Sequence, residues 1–217
     1  MENLWSVTIE IRKAHDWTHI DITERKEIEI LLHRSHEELE RLVEQVKELS
    51  ITDHLTSLFN RRKMVEEIRK AQNRFEVSGQ SFTLAILDLD HFKNINDQYG
   101  HTFGDIALQT FASLLRRKIH DLNVVARWGG EEFIILFQNS NTQEIHRQLL
   151  SIQDCCNEEL LKYRMDPVPL SFSAGVHEYD IQQSLEDLLK RADQALYIAK
   201  SLGRKQIILY EKGLPIV

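Results

Sequence analysis

The stretch ARWGGEEFIILF, residues 126–137, runs two glycines into two glutamates and then into an apolar segment. The glycine pair suits a tight hairpin turn, because glycine adopts positive φ at little cost. The run NVVARW at 123–128 and the run FIILF predict the two strands that this turn joins. Glu131 and Glu132 repel each other at such a turn, and a bound cation would make their adjacency favourable.

The composition is typical of a folded domain with an extension. The chain has 217 residues, 42% of them hydrophobic, which is adequate for a core. The net charge of −7 argues against general binding to nucleic acid or to an anionic membrane. The two cysteines, Cys155 and Cys156, are adjacent and predict reduced packing residues. Because no apolar run reaches transmembrane length and the N-terminus is no signal peptide, we expect a cytoplasmic protein.

A narrow apolar stripe precedes the hairpin region. Its positions alternate between spacings of four and three: Ile28, Leu32, Ser35, Leu39, Leu42, Val46 and Leu49. A surface helix packed on its own domain is one interpretation. The narrow stripe and the absence of proline and glycine favour a short parallel coiled coil, and therefore a homodimer.

After residue 50, helical patterns alternate with strand patterns, which predicts an α/β class in the broad sense. The predicted elements are a helix capped by Asn60, a strand at 82–88, helices at 104–119 and 142–163, a strand at 168–176, a helix at 184–203 capped by Ser184, and a closing strand in KQIILYE.

The first of these strands ends in LDLDHFKNINDQYGH, where Asp88 and Asp90 stand. An EF-hand is excluded, because Lys93 occupies the sixth loop position and a strand precedes the loop. A solvated acidic loop is the simplest alternative. If this strand neighbours the glycine hairpin, however, Asp88 meets Glu131, and converging carboxylates suit a Mg²⁺ ion that also binds phosphate oxygens.

Phosphate would need positive partners. The sequence contains no G-x-x-x-x-G-K-[ST] loop, which excludes a P-loop enzyme. The candidates are Lys93, just after the acidic strand end, and Lys200 with Arg204 at the end of the last helix. For the latter two, favourable placement at a helix C-terminus is the alternative explanation.

The segment RWGGEEF resembles the signature of GGDEF domains, the diguanylate cyclases, in its GGEEF form. Three further segments resemble family motifs in the same order: DHLTSLFNRR at 53–62, DLDHFKNINDQYGHTFGD at 88–105 and RADQALYIAKSLGR at 191–204. The resemblance covers residues 50–211 or so.

The resemblance implies a fold similar to nucleotidyl cyclases and the polymerase palm, with helices flanking a central, mostly antiparallel sheet. It implies that two GTP molecules, one per subunit, condense to cyclic di-GMP with release of pyrophosphate. With the N-terminal pattern, it predicts three parts: a segment at 1–22, a coiled-coil helix at 23–50 and the catalytic domain at 51–217.

The resemblance also assigns roles around a Mg²⁺ or Mn²⁺ ion. Asp88, the backbone carbonyl of Leu89 and Glu131 are implied metal ligands, and Glu132 is implied as a second metal or orienting carboxylate. Glu131 is also the implied base. Lys93 is implied to stabilise the phosphate or the transition state.

Four further residues are implied to bind GTP. Lys200 and Arg204 resemble ligands of the terminal phosphates, and Asn96 with Asp105 resembles the guanine-reading pair. A carboxylate accepts from both N–H donors of guanine, while an amide both donates and accepts. Taken separately, Asn96 could be a turn residue and Asp105 a helix cap.

Two features depart from the family pattern. His120 and Asn123 replace the Arg and Asp of the product-binding inhibitory site, so we expect no inhibitory site there. The region THIDITERKEIEILLHRSHEEL resembles the exit of a PAS sensor domain, but only about twenty residues precede it, too few for a PAS core. Any sensor domain is therefore missing from this sequence, supplied from elsewhere or never present.

Three hypotheses of different classes remain. The chain is an active cyclase, a degenerate domain that binds GTP or cyclic di-GMP without turnover, or a coiled-coil scaffold whose globular part is structural. The intact acidic, amide and basic motif residues favour the cyclase.

Overall fold

The computed structural model describes residues 8–13, 16–21, 23–49, 51–158, 161–163 and 166–211. Contacts within the chain divide it into two compact units, Met1–Ser50 and Ile51–Val217. No helix of the described residues has the length and apolarity needed to cross a membrane.

The first unit contains a hairpin and one long helix. Strand β1 (Thr8–Lys13) pairs antiparallel with β2 (Asp16–Asp21), and helix α1 spans Thr23–Leu49. The remainder of the predicted 1–22 segment and Ser50 lie outside the described residues.

The predicted seam of α1 is exposed within the single chain. Ile28, Leu32, Leu39 and Leu42 are 48–69% exposed, although large aliphatic side chains favour burial. The side chains of the last two seam positions lie outside the described set. Pairing of this helix with a second copy stays a prediction.

The second unit alternates helices and strands. In chain order its elements are α2 (Arg61–Ser78), β3 (Phe82–Leu89), α3 (Phe92–Tyr99), α4 (His101–Lys118), β4 (Val124–Gly129), β5 (Glu132–Gln138), α5 (Thr142–Glu158), β6 (Leu161–Tyr163), β7 (Asp166–Val168), β8 (Phe172–Glu178), α6 (Leu185–Ser201) and β9 (Ile207–Leu209).

The central sheet has the order β4-β5-β3-β8-β9, and all of its pairs are antiparallel except β8 with β9. The predicted central, mostly antiparallel sheet flanked by helices is therefore confirmed. Strand β3 lies in the middle, and all eight of its residues are buried.

Helices cover both faces of this sheet. The face that packs on α4 and α5 carries Ala85, Leu87, Phe133, Ile135 and Ala174. The face that packs on α2 and α6 carries the alternate positions Leu84, Ile86, Ile134 and Leu136. Since side chains alternate along a strand, Asp88, Glu132 and Ser173 fall on the face that α6 covers.

Most sequence predictions of local structure are confirmed. The Asn60 side chain accepts a hydrogen bond from Lys63 N at 3.0 Å, and Ser184 Oγ accepts one from Asp187 N at 3.0 Å, so both act as N-caps. The glycine pair forms the predicted β4–β5 turn, in which Gly130 has φ +52°. Both cysteines are free, as expected.

Two local predictions are wrong, and one helix was not predicted. The helix predicted at 142–163 ends at Glu158, and Leu161–Tyr163 pairs instead with Asp166–Val168, where Pro167 is incompatible with a continuing helix. The strand predicted at 168–176 starts at Phe172. A separate helix, α3, precedes α4 and was not predicted, because its eight residues are too few for a clear periodic pattern.

Gly175 allows α6 to pack directly on β8. A Cβ at this position would overlap the Ala192 carbonyl oxygen and the Leu196 amide nitrogen of α6. We expect Gly175→Ala to lower the free energy of unfolding by at least ~2 kcal/mol, because the helix backbone must move away from the sheet. Urea unfolding would measure this, with Gly129→Ala, whose added Cβ meets nothing within 4 Å, as the matched control. Equal stability of both variants would contradict close packing at Gly175.

Candidate active site

The pairing of β3 with β5 brings the two acidic segments together. In the antiparallel register Asp88 lies opposite Glu132, and Leu89 N donates to the Glu131 carbonyl oxygen at 3.3 Å. On the other side of β3, Asp88 pairs with Ser173 of β8. Strands β3 and β5 are therefore neighbours, which is the condition under which Asp88 was expected to meet the glycine hairpin.

Lys200 joins this cluster from the last turn of α6. Its Nζ lies 2.8 Å from Asp88 Oδ2, and the Asp88 side chain is only 10% exposed. Burial raises the pKa of Asp88; the Lys200 ammonium opposes this shift, while Glu131 and Asp90 add to it, so the pKa lies above its ordinary value. The predicted phosphate ligand Lys200 is thus a counterion of the predicted metal ligand in this structure.

Glu132 lies in a similar environment. Burial raises its pKa, the negative charge of Asp88 raises it further, and Lys200 only partly compensates. Two carboxylates in this position are unfavourable together when both are ionised.

The donor set fits a small divalent cation. Among the described residues no group of three or more His, Cys, Asp or Glu side chains has the arrangement of a complete metal site. Mg²⁺ typically uses one or two carboxylates with substrate phosphate oxygens and water, so it does not require such a group. The mutually repelling carboxylates, with Asp88 buried and Glu132 partly buried, supply oxygen ligands and a charge that a cation would relieve.

The predicted guanine-reading residues come together at the junction of α3 and α4. Asn96 lies within α3, and its side chain is pressed against Gly104, where a Cβ would overlap Asn96 Oδ1. Asp105 follows Gly104 and is exposed on α4. Neither alternative explanation holds: Asn96 is helical instead of lying in a turn, and Asp105 is the fifth residue of its helix instead of the cap.

The other two basic candidates stand at exposed helix ends. Lys93 is the second residue of α3, directly after the Asp88 strand. Arg204 follows α6 in a left-handed backbone conformation, with φ +66°. Its amide nitrogen donates to the Ala199 carbonyl oxygen at 3.1 Å, which closes the end of the helix.

The contacts of Arg127 with the glycine hairpin and with Asp53 were not predicted. The Arg127 guanidinium donates to the Gly130 carbonyl oxygen at 3.0 and 2.8 Å and pairs with Asp53 at 3.2 Å. Burial raises the pKa of Asp53, but hydrogen bonds from Thr56 and the charge of Arg127 outweigh it, so the pKa lies below its ordinary value. Arg127 thereby connects the turn that carries Glu131 to Asp53, near the start of the second unit.

The positions that replace the inhibitory motif have different surroundings. Asn123 Oδ1 accepts a hydrogen bond from Gln138 N at 3.0 Å, so this side chain bridges β4 and β5. His120 is exposed at the end of α4, where its Nδ1 accepts from Leu122 N at 3.4 Å. Neither supplies the guanidinium or the carboxylate of an Arg–Asp pair.

Comparison with known proteins shows the family of this chain. The family model described as "Diguanylate cyclase, GGDEF domain" matches residues 50–206. Diguanylate cyclase DgcP of Pseudomonas aeruginosa is 36% identical over 166 residues, which cover 76% of this chain and 25% of that protein. The chain belongs to the diguanylate cyclase GGDEF domain family.

Solved structures of the family share the fold. The coiled coil and GGDEF domain of DgcB from Caulobacter crescentus, in complex with c-di-GMP, matches with a TM-score of 0.71 at 33% identity, over 84% of this chain and 98% of that one. The active GGEEF domain of a diguanylate cyclase from Vibrio cholerae matches with a TM-score of 0.66 at 33% identity, over 71% of this chain and 98% of that one.

The chain spans from a quarter to about half of the length of the curated relatives that it matches first.

The raised pKa of Glu132 predicts an effect on stability. Between the ordinary carboxyl pKa of 4.5 and the raised value, the folded chain holds the proton more tightly than the unfolded chain, so stability falls as pH rises through this window. Glu132→Gln should therefore raise the melting temperature of the metal-free protein at neutral pH, and the gain should vanish at acidic pH.

Scanning calorimetry without divalent cations, across pH, would measure this effect. Glu76→Gln is the matched control, because Glu76 is exposed on α2. A neutral-pH melting temperature of Glu132→Gln at or below that of the unmodified protein would refute the repulsion between Glu132 and Asp88.

Proposed function

We propose that this chain is a diguanylate cyclase of the GGEEF variant, which condenses two GTP molecules into cyclic di-GMP and two pyrophosphates. The observation that carries the proposal is the cross-strand pairing of Asp88 with Glu132 beside the hairpin residue Glu131, with Lys200 bonded to Asp88. The carboxylates of two acidic segments and the Lys200 ammonium therefore lie close together. This arrangement suits a metal–triphosphate complex better than a structural role.

The residues that would hold Mg²⁺ or Mn²⁺ are Asp88, the Leu89 carbonyl and Glu131, with Glu132 as a second metal or orienting ligand. When bound, such an ion lowers the pKa of a coordinated hydroxyl and neutralises triphosphate charge. The raised pKa values of Asp88 and Glu132 support this assignment, because they report carboxylates whose charge is not fully compensated by the protein.

The chemistry of each half-reaction follows from the remaining residues. The 3′-oxygen of one GTP attacks the α-phosphorus of the other, the bond to the bridging oxygen breaks, and pyrophosphate leaves. Glu131 takes the proton of the attacking hydroxyl. Lys93 stabilises the charge that develops on the α-phosphate, and Lys200 with Arg204 holds the terminal phosphates.

Guanine would be read by Asn96 and Asp105. The Asp105 carboxylate accepts from the two adjacent N–H donors of guanine, and the Asn96 amide completes the edge. The contact of Asn96 with Gly104 supports this pairing, since it holds the amide next to the residue that precedes Asp105.

Catalysis would need a homodimer, because each half-site holds one GTP and a monomer cannot close the ring. The exposed apolar seam of α1 supports pairing with a second copy as a short parallel coiled coil. Such pairing would raise the effective concentration of one half-site near the other. We further propose that the protein acts in the cytoplasm and that any sensor domain would lie upstream of α1. We also propose that cyclic di-GMP does not inhibit through His120 and Asn123.

The cyclase proposal predicts a metal-dependent product. Incubation with GTP and Mg²⁺ should yield cyclic di-GMP, identified by mass. Glu131→Gln should lower turnover by roughly 10²-fold or more, because a neutral amide binds Mg²⁺ poorly and cannot act as a base.

The folded state should survive this change, since Glu131 lies at a turn. Glu76→Gln, on the exposed face of α2, should retain full turnover. Unmodified turnover in Glu131→Gln would refute the assignment of Glu131. A protein that binds GTP and forms no product would support the degenerate alternative.

The homodimer proposal predicts that charged residues introduced into the apolar seam of α1 abolish most of the turnover. Leu39→Asp combined with Leu42→Asp would bury like charges between two helices and so disfavour the dimer. The double variant should be monomeric by light scattering at micromolar concentration, lose most of its turnover and still bind GTP.

Ile30→Asp is the matched control, because Ile30 is also exposed on α1 but lies outside the seam. It should remain dimeric and active. Full activity of the double variant in a demonstrated monomer would show that α1 does not organise catalysis.

A further inference from the structure

Asp90, two residues after Asp88, is a buried carboxylate that the proposed chemistry does not use. It is 5% exposed. Its Oδ1 accepts from Ser173 Oγ at 2.7 Å, and its Oδ2 accepts from Ser171 Oγ at 3.0 Å and from the Lys205 amide nitrogen at 3.1 Å. Both oxygens therefore already accept hydrogen bonds from protein donors.

These bonds reach the loop that carries Arg204. Gly203, Arg204 and Lys205 have φ values of +109°, +66° and +51°. Two successive residues with side chains rarely adopt this left-handed conformation, so the loop needs bonds that fix it. The Lys205 amide supplies them, since it donates to Asp90 and lies 3.1 Å from Ser173 Oγ as well.

The same bonds connect three elements of the site. Asp90 directly follows β3, which carries Asp88; Ser173 is the cross-strand partner of Asp88, and Lys205 follows the helix end that carries Lys200. A shift of the loop relative to β3 would therefore move Arg204 relative to Asp88.

We propose that Asp90 and Ser173 are positioning residues that hold Arg204 where it can bind the terminal phosphates of the nucleotide. This inference rests on the proposed function, because it takes Arg204 as a phosphate ligand. Asp90 itself contacts neither the metal nor the nucleotide. It acts through the Lys205 amide, which fixes the backbone of the preceding residue.

The test compares two nucleotides that differ only in the terminal phosphates. 3′-Deoxy-GTP and 3′-deoxy-GMP lack the attacking hydroxyl, so neither is consumed, and calorimetry with Mg²⁺ gives both affinities. Asp90→Asn replaces the carboxylate by a neutral amide, whose oxygen still accepts from the Lys205 amide but without charge assistance, and whose NH2 group stands where the second carboxylate oxygen accepted. We expect affinity for 3′-deoxy-GTP to fall about tenfold, as for the loss of one charge-assisted contact, and affinity for 3′-deoxy-GMP to be unchanged.

A second variant covers the case in which Asp90→Asn does not fold. Ser173→Ala removes the hydroxyl that touches both Asp90 and the Lys205 amide, at little change in volume, and should cause the same selective loss. Thr83→Val is the matched control, because Thr83 is a buried β3 residue whose hydroxyl has no hydrogen-bond partner in the described part of the chain. It should change neither affinity.

Arg204→Ala supplies the remaining comparison. If Asp90 acts through Arg204, adding Asp90→Asn or Ser173→Ala to Arg204→Ala should not lower the affinity for 3′-deoxy-GTP any further. An equal loss for both nucleotides, no loss for either, or additive losses with Arg204→Ala would overturn the inference. If the unmodified protein does not prefer 3′-deoxy-GTP over 3′-deoxy-GMP, the proposed function itself fails.

Discussion

The antiparallel register of β3 against β5 is the constraint on which the site depends. It sets Asp88 opposite Glu132 on the face covered by α6, while the intervening apolar residues fill the face covered by α4 and α5. A slip of β3 by one residue would turn Asp88 away from Glu132 and into the apolar face that packs on α4 and α5. Because β3 is buried along its whole length, such a slip would be strongly unfavourable, and the core thereby fixes the acidic corner.

The charges of this corner are only partly balanced within the chain. Lys200 compensates Asp88, but burial and the mutual repulsion of the carboxylates keep the pKa values of Asp88 and Glu132 raised, so their ionised forms are disfavoured in the isolated protein. On the proposed function, a divalent cation would take over the compensation of Asp88 and leave Lys200 to bind phosphate. The same ammonium would then serve two partners in turn, which explains why it stands at the end of α6 beside a carboxylate.

Much of this could be predicted from local sequence. The glycine hairpin, the caps Asn60 and Ser184 and the alternation of helices and strands follow from short-range stereochemistry, and the structure confirms them. The helix predicted through residue 163 was wrong, because periodicity does not indicate where a strand pairing replaces a helical turn. The contact of Arg127 with Asp53 was missed, since the residues are 74 positions apart and neither belongs to a recognisable charge pattern.

The sequence by itself determined the elements, the two acidic segments and the family, because hydrophobic period, turn residues and motif order are local properties of the chain. Only the tertiary structure decided which strands are neighbours, that Lys200 meets Asp88, and that the Asp90 side chain accepts a hydrogen bond from the backbone of the loop that carries Arg204. Those facts depend on long-range packing. Asp88 and Asp90 are both aspartates and stand two positions apart in the sequence. Only the neighbours that the fold brings to each of them give the two carboxylates different roles.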